Sequence, residues 1–241
     1  ERGERIQHLV LDPTVSKPIS FDPDGTLWDF ETVMRLSTSL ALEELADHDP
    51  IAASQLDVDR VVSVRDRIAN EWTSSVISLK LVRFGGFKQA LIEAGRPNDD
   101  LAEHINKTYL HHRYANIVPY DDVLPTLTAL RERYKIGALT NGNSYLERVG
   151  MEQLFDFAVL ASEQGVSEPD PGIFHITAEM AGYRVDELLH VGDSLVDEVI
   201  GASDVGARAV WINRICIAAS PEHMPEFQII SLSTLIDWLI G

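Results

Sequence analysis

The residues of this chain that could carry chemistry are mostly carboxylates, and they fall in four separate places. Asp22 and Asp24 stand two apart in Phe21-Asp22-Pro23-Asp24-Gly25-Thr26. Thr140, Asn141 and Gly142 end an apolar run. Glu163 to Asp170 is an acid-rich loop containing Glu168-Pro169. Asp193 follows His190-Val191-Gly192, and Asp197 and Glu198 come one helical turn later. Carboxylates grouped in this way serve as nucleophiles, as proton donors and acceptors, or as hard oxygen ligands for a divalent cation. Each cluster alone is a weak signal, because Asp-x-Asp-Gly also occurs in calcium loops and ordinary turns. Their joint placement carries the weight.

Each cluster follows a short apolar segment that reads as a buried strand. These segments are Ile19-Ser20-Phe21, Tyr134 to Thr140, Ala158-Val159-Leu160 and Leu188 to Gly192. Helical patterns over 124–133, 171–181 and 196–204 alternate with them. A strand at 209–212, a strand at Ile229-Ile230 and a helix over 232–240 close the chain. Such alternation predicts an α/β fold with a parallel sheet and helices on both faces. In open sheets of this kind, sites gather at the carboxyl ends of the strands. One long stretch interrupts the alternation. From Glu31 to Ala115 the pattern is helical, with Leu36, Leu40, Leu42 and Leu45 at helical spacing, then Val61, Val64 and Ile68, then Ala90, Leu91 and Ala94. Asp47-His48-Asp49-Pro50 and Gly95-Arg96-Pro97-Asn98 break it. Gly85-Gly86 reads either as a loop reaching a site or as a turn between helices. The expected division is a core formed by 1–30 and 116–241, with a helical insertion at 31–115. Residues 1–17 read as a lead-in or a short edge element.

Composition bounds the function. The 241 residues are 45% hydrophobic and 24% charged, which excludes a disordered, collagen-like or disulfide-stapled chain. The net charge of −18 argues against nucleic acid and against an anionic membrane surface as partners. An anionic substrate would need a local positive focus, from a metal or from placed cations. The lone Cys216 cannot close an internal bridge; it fits a reducing, cytoplasmic setting and reads as a small buried residue near a strand end. No run of 18 apolar residues is present to span a membrane, and the opening residues do not read as a signal peptide.

Four motifs now stand in order. They are Phe21-Asp22-Pro23-Asp24-Gly25-Thr26-Leu27-Trp28-Asp29, Ala138-Leu139-Thr140-Asn141-Gly142, Gly165-Val166-Ser167-Glu168-Pro169-Asp170-Pro171-Gly172-Ile173-Phe174 and His190-Val191-Gly192-Asp193-Ser194-Leu195-Val196-Asp197-Glu198. On these motifs, over nearly the whole chain, the sequence resembles the haloacid dehalogenase superfamily, in its phosphatase-like branch with a helical cap after the first motif. The resemblance implies a Rossmann-like parallel-sheet core with an inserted α-helical cap. It implies Asp22 as a nucleophile that forms an aspartyl-phosphate, and Asp24 as the acid that protonates the leaving alkoxide and then activates water. It implies a phosphoryl contact from Thr140 and substrate contacts from Asn141, Gly25 and Thr26. It also implies Mg²⁺ held by Asp22, the backbone carbonyl of Asp24, and Asp193, and a small phosphorylated metabolite as substrate. Mg²⁺ suits such a set, being hard and oxygen-seeking. Phosphoryl transfer needs mainly positioning and charge neutralisation.

Two departures fall where that neutralisation should come from. The resemblance implies a Lys in the third motif, at a catalytic position where this chain has Glu168. Pro23, between the two aspartates, has no N–H to offer a phosphoryl oxygen. Losing one such donor costs roughly 10²- to 10³-fold in rate. The alternative to a working phosphatase is therefore a degenerate member with weak or no catalysis. Glu168 reads either as an inert loop acid or as an added metal ligand. Either Asp197 or Glu198 supports the metal. Arg83, Lys88 and Arg113 are the cations that could replace the Lys, although each reads first as a solvated surface charge. His190 reads as a packed core residue, and Trp28 as an edge of the cleft at the cap hinge. A strict dehalogenase would not use Asp24, so Asp24 argues against that chemistry; a mutase shares most of these residues.

Overall fold

The structure is a computed structural model that describes residues 17–71 and 79–240. The reading of residues 1–16 as a lead-in, and Trp72, lie outside the described residues. The first strand, β1 (Pro18–Phe21), is buried along its whole length. Five helices follow: α1 (Phe30–His48), α2 (Pro50–Ala53), α3 (Val58–Glu71), α4 (Leu79–Glu93) and α5 (Asp99–Ala115). The chain then alternates through α6 (Val123–Leu130), β2 (Lys135–Thr140), α7 (Leu146–Val149), β3 (Phe157–Leu160), α8 (Ala161–Gln164), α9 (Pro171–Ala181) and β4 (Leu189–Gly192). A π-helical turn at Leu195–Ile200 runs into α10 (Gly201–Asp204), and β5 (Arg208–Ile212), β6 (Phe227–Ile229) and α11 (Ser233–Leu239) complete the chain.

The six strands form one parallel sheet in the order β3-β2-β1-β4-β5-β6. Parallel strands are covered on both faces, which is why they read as continuous apolar runs rather than alternating ones. Alternate residues still point to opposite faces. Ile19, Phe21, Val191 and Ile212 pack with Leu127 and Leu130 of α6 and with Leu235 and Leu239 of α11. Leu139, Val159 and Trp211 pack on the other side with Ile173 and Phe174 of α9 and Ala202 of α10. Fully burying side chains of this size contributes about 1.5–3 kcal/mol each.

Helices α1 to α5 have an apolar core of their own, built from Met34, Ala41, Leu45, Phe87, Leu91, Ile105 and Tyr109. Local chemistry sets their starts. The Asp29 carboxylate accepts from the Thr32 N–H at 3.0 Å and opens α1. The Asn98 side chain accepts from the Leu101 N–H at 3.0 Å and opens α5. Caps of this kind are worth about 1 kcal/mol. Three sequence expectations change here. Leu36 faces solvent, and α1 buries Val33, Met34, Ser37, Thr38, Ala41 and Leu45 instead. Gly85 and Gly86 lie inside α4, neither in a loop nor in a turn. A Cβ on Gly86 would stand 3.3 Å from the Cβ of Arg65, so glycine there lets α3 and α4 approach closely. Cys216 is exposed, beyond the end of β5, rather than buried. Among the described residues no helix is long and apolar enough to cross a membrane.

Candidate active site

The strand order reverses between β1 and β4, because β1 lies between β2 on one side and β4 on the other. Such a switch point opens a crevice at the carboxyl ends of the strands. Phe21 pairs with Ala138 of β2 and with Val191 of β4, so β1 ends between two neighbours that run on to Thr140 and Gly192. A cavity of about 350 Å³ opens there. Asp22, Asp24, Thr140, Asn141 and Glu198 line it from the sheet side, and Phe30, Arg65, Arg83, Tyr109 and Arg113 from the helical side.

Asp22 is the first residue past β1. Its N–H donates to the Val191 carbonyl at 3.0 Å, which extends the β1–β4 ladder and fixes the backbone. Its carboxylate is buried and Oδ2 has no hydrogen-bond partner. Burial pushes this acid well above the usual carboxylate range, and Glu198, Asp24, Glu168 and Asp193 push it further.

Asp24 is held from three directions. Trp28 Nε1 donates to Oδ1 at 2.8 Å. Ser144 Oγ donates to Oδ2 at 2.6 Å, and Arg113 Nη2 donates to Oδ2 at 3.1 Å. Arg113 is itself buried, with Phe30 4.9 Å from its guanidinium, and donates to Asn143 Oδ1 at 2.6 Å and Ser144 Oγ at 2.7 Å. Gly25 turns the loop with φ +93°, and a Cβ there would stand 2.3 Å from Asp193 Oδ2. Only glycine meets both demands. Arg214 clips the same loop by donating to the Thr26 carbonyl at 2.9 and 3.1 Å and to both oxygens of Asp122 at 2.9 and 3.0 Å.

The other strand ends add to the acids. Thr140 Oγ1 accepts from the Gly142 N–H at 2.9 Å. The Asn141 side chain clamps the third motif, donating to the Glu168 carbonyl at 3.1 Å and accepting from the Glu168 N–H at 2.8 Å. The Glu168 carboxylate is buried and neither oxygen has an aligned hydrogen bond. His190 Nε2 lies 3.2 Å from it, while His190 Nδ1 meets Ser20 Oγ at 2.8 Å. Burial raises the Glu168 acid, with His190 opposing. The π-helical turn after Asp193 brings Glu198 inward, where its Oε2 accepts from the Ser194 N–H at 2.8 Å. Glu198 is also pushed well up, by burial first and then by Glu168 and Asp193. Asp193 opens to solvent at the rim, yet the desolvation felt by its carboxyl, with Asp24 and Glu168 beside it, raises it to about 6. Carboxylate oxygens of Asp22, Glu168 and Glu198 lie within 4.8 Å of one another.

The family model of haloacid dehalogenase-like hydrolases matches residues 17–206. The chain belongs to this family. Among its curated relatives is the 5-amino-6-(5-phospho-D-ribitylamino)uracil phosphatase of Escherichia coli, 27% identical over 80% of this chain and 82% of that protein. Another is a glyceraldehyde 3-phosphate phosphatase of Methanothermobacter thermautotrophicus, 26% identical over 87% of this chain and 91% of that one. Among solved structures, a 2-haloacid dehalogenase from Pseudomonas syringae pv. Tomato superposes with a TM-score of 0.78 at 30% identity, covering 94% of this chain and 99% of that chain.

Within this haloacid dehalogenase-like hydrolase, Asp22, Asp24, Thr140 and Asn141 meet on the cavity, as their strand-end positions led one to expect. Glu168 and Asp193 stand behind and beside that wall rather than on it. Gly25 and Thr26 also lie off the cavity, in the turn beneath Asp193. Asp197 is exposed, whereas Glu198 faces Asp22. Two of the three candidate cations are not surface charges: Arg83 and Arg113 are buried, and only Lys88 is partly exposed, paired with Asp99 at 2.7 Å. Trp28 is fully buried and its indole N–H goes to Asp24. Sequence reasoning missed Ser144, Asn143 and Arg214. Ser144 and Asn143 follow the second motif directly, which is a local signal. Arg214 has none, because its partners Thr26 and Asp122 are remote in sequence.

Proposed function

We propose that this chain is a Mg²⁺-dependent phosphohydrolase acting on a small phosphorylated metabolite through an aspartyl-phosphate at Asp22. The observation that carries the reading is the Asp22 carboxylate, buried at the switch point with one oxygen unpartnered, beside an Asp24 carboxylate fixed by three donors. In the first half-reaction an Asp22 oxygen attacks phosphorus, the bond from phosphorus to the alkoxide breaks, and Asp24 gives that alkoxide a proton. In the second, Asp24 takes a proton from water, the water oxygen attacks phosphorus, and Asp22 is freed with release of phosphate. Thr140 offers its hydroxyl to a phosphoryl oxygen. Arg113 positions Asp24 and brings positive charge to the cavity, which supports it as the replacement for a Lys at position 168. The helices over 31–115 act as the cap that limits water and shapes the substrate end of the cavity.

The residues fit a divalent cation. Several acids at the strand ends are raised by burial and by one another, Asp22 and Glu168 keep unpartnered oxygens, and every donor is a hard oxygen. Asp22, the Asp24 backbone carbonyl, Asp193 and Glu198 would hold it. When bound, Mg²⁺ neutralises the phosphoryl oxygens so that two carboxylates can share a site with a phosphate.

Carbon–halogen cleavage is the second reading, favoured by the likeness to the Pseudomonas dehalogenase. The purified protein should release phosphate from an aryl phosphate in Mg²⁺, with the rate lost in chelator and in Asp22→Asn. Halide release from 2-chloropropionate without metal, and no phosphate release, would replace the first reading by the second.

A further inference from the structure

Three arginines line the cavity from the helices, and two of them have carboxylate partners. Arg113 pairs with Asp24 at 3.1 Å, and Arg65 pairs with Asp66 at 2.6 Å, which takes up the one carboxylate on that wall. Arg83 differs. It is buried, at 8% exposure, and among the described residues no carboxylate pairs with it. Its single hydrogen bond there runs from Nε to the neutral Asn106 Oδ1 at 2.9 Å. That bond fixes the plane of the guanidinium and leaves the Nη1 and Nη2 donors free on a residue that lines the cavity. Burial first and then Arg113 lower its pKa to about 10, with Tyr109 and Tyr114 opposing, so it stays charged at neutral pH with no carboxylate counter-ion among the described residues. An isolated buried charge of this kind is costly, and an arginine edge with two parallel N–H groups matches a planar carboxylate in bidentate fashion.

We infer that Arg83 is a subsite for a carboxylate on the substrate, at the end remote from the phosphate, so that the substrate is a small phosphorylated carboxylic acid. The inference rests on the phosphohydrolase reading above and adds the chemical class of the substrate. Phe30, Val82 and Tyr109 give the cavity apolar wall for a short carbon skeleton, and about 350 Å³ suits a metabolite of a few carbons.

The test compares 3-phosphoglycerate with glycerol 3-phosphate, which differ in a carboxylate against a hydroxymethyl group. In Mg²⁺ the protein should favour 3-phosphoglycerate by roughly 10- to 100-fold in kcat/KM, mostly through KM, the scale of a charge-assisted pair. Arg83→Met should bring that ratio to within about twofold, and Arg83→Lys should retain part of it. A ratio near one in the unaltered protein overturns the inference. So does a ratio that survives in Arg83→Met. Should Arg83→Met fail to fold, the unaltered protein and Arg83→Lys decide. Absence of turnover on both esters counts against the phosphatase reading, and calorimetric binding of the same two ligands to Asp22→Asn then judges the subsite. Tighter binding of 3-phosphoglycerate, lost when Arg83→Met is added and partly kept when Arg83→Lys is added, sustains it; equal or absent binding, or a preference unchanged by either substitution, overturns it.

Discussion

On the sheet side of the cavity, Asp22 and Asp24 come from the loop after β1 and Glu198 from the π-helical turn that follows β4, and their charge is negative. On the helical side, Arg65, Arg83 and Arg113 come from α3, α4 and α5, and their charge is positive. The two sides are also built differently. Strand register fixes the acids: Asp22 is held by a ladder hydrogen bond to Val191, and Gly25 lets the Asp193 side chain lie against the loop. Helix packing fixes the arginines, through Phe30 under Arg113 and Asn106 beside Arg83. With an acid, Glu168, in the third motif, the described sheet side offers no Lys or Arg at the cavity. Neutralisation of a phosphate must then come from the helices, from a bound cation, or from both.

The sharpest way to break this comparison is at the acid. Asp22→Asn keeps the shape and removes the nucleophilic charge. Turnover of an aryl phosphate should fall at least about 10⁴-fold. A loss under tenfold would mean that the acids do no covalent work. The next test is at the junction, because among the described residues Arg113–Asp24 is the ion pair that ties the helices to the sheet. Arg113→Met should lower kcat about 10²-fold, since a proton donor displaced by even an ångström loses its alignment. Arg113→Lys should recover part of kcat. If kcat holds and KM alone rises in the methionine variant, Arg113 binds substrate instead of positioning Asp24.

The contrast also explains what could be read in advance. The strands, their order of appearance and the acids that follow them were visible, because buried parallel strands leave unbroken apolar runs and the chain turns polar where they end. The helix over 171–181 was visible for a related reason: Asp170 caps it and Pro171 begins it. Arg83 and Arg113 could be named as candidate cations, but their burial at the cavity was not visible. Arg113 is 89 residues from Asp24, and nothing near it in sequence marks it as buried. Arg83 sits two residues before Gly85-Gly86, a pair that reads as a break, yet α4 runs through it because tertiary packing against α3 overrides glycine's poor helix propensity. Glu168 illustrates the middle case. Its substitution stood out in the motif, but its place beside His190 and Asp22 depends on strand pairing.

That place gives a finer test of the sheet side. Glu168→Gln removes one charge from the cluster with little change of shape. If Glu168 helps hold a cation, Mg²⁺ affinity measured by calorimetry should fall roughly tenfold. Unchanged or tighter Mg²⁺ binding would make Glu168 a bystander buried beside His190, and would leave neutralisation to the arginines.

The smallest effect is on stability, and its sign follows from the same acids. Asp22, Glu168, Asp193 and Glu198 all have raised pKa values in the folded protein. Without metal the folded state therefore holds protons that the unfolded chain has released. Their stabilising contribution is complete below the ordinary carboxylate range, near pH 4, and is lost as pH rises through the folded values, with Asp193 marking about 6 and Asp22 and Glu198 raised as well. Glu44, Asp49, Glu103 and Asp122 are lowered and act in the opposite sense, but their change lies below the ordinary range and is finished by pH 5. In chelator the Tm should accordingly drop by several degrees between pH 5 and pH 7.5, about 2–4 °C for each kcal/mol in a chain of this size. Mg²⁺ should restore it at pH 7.5 and much less at pH 5, where protons compete for the same oxygens. A flat apo profile, with no rescue by Mg²⁺ at the higher pH, would mean that the helical arginines already balance the acids and that the opposition of charge across the cavity is complete without a metal.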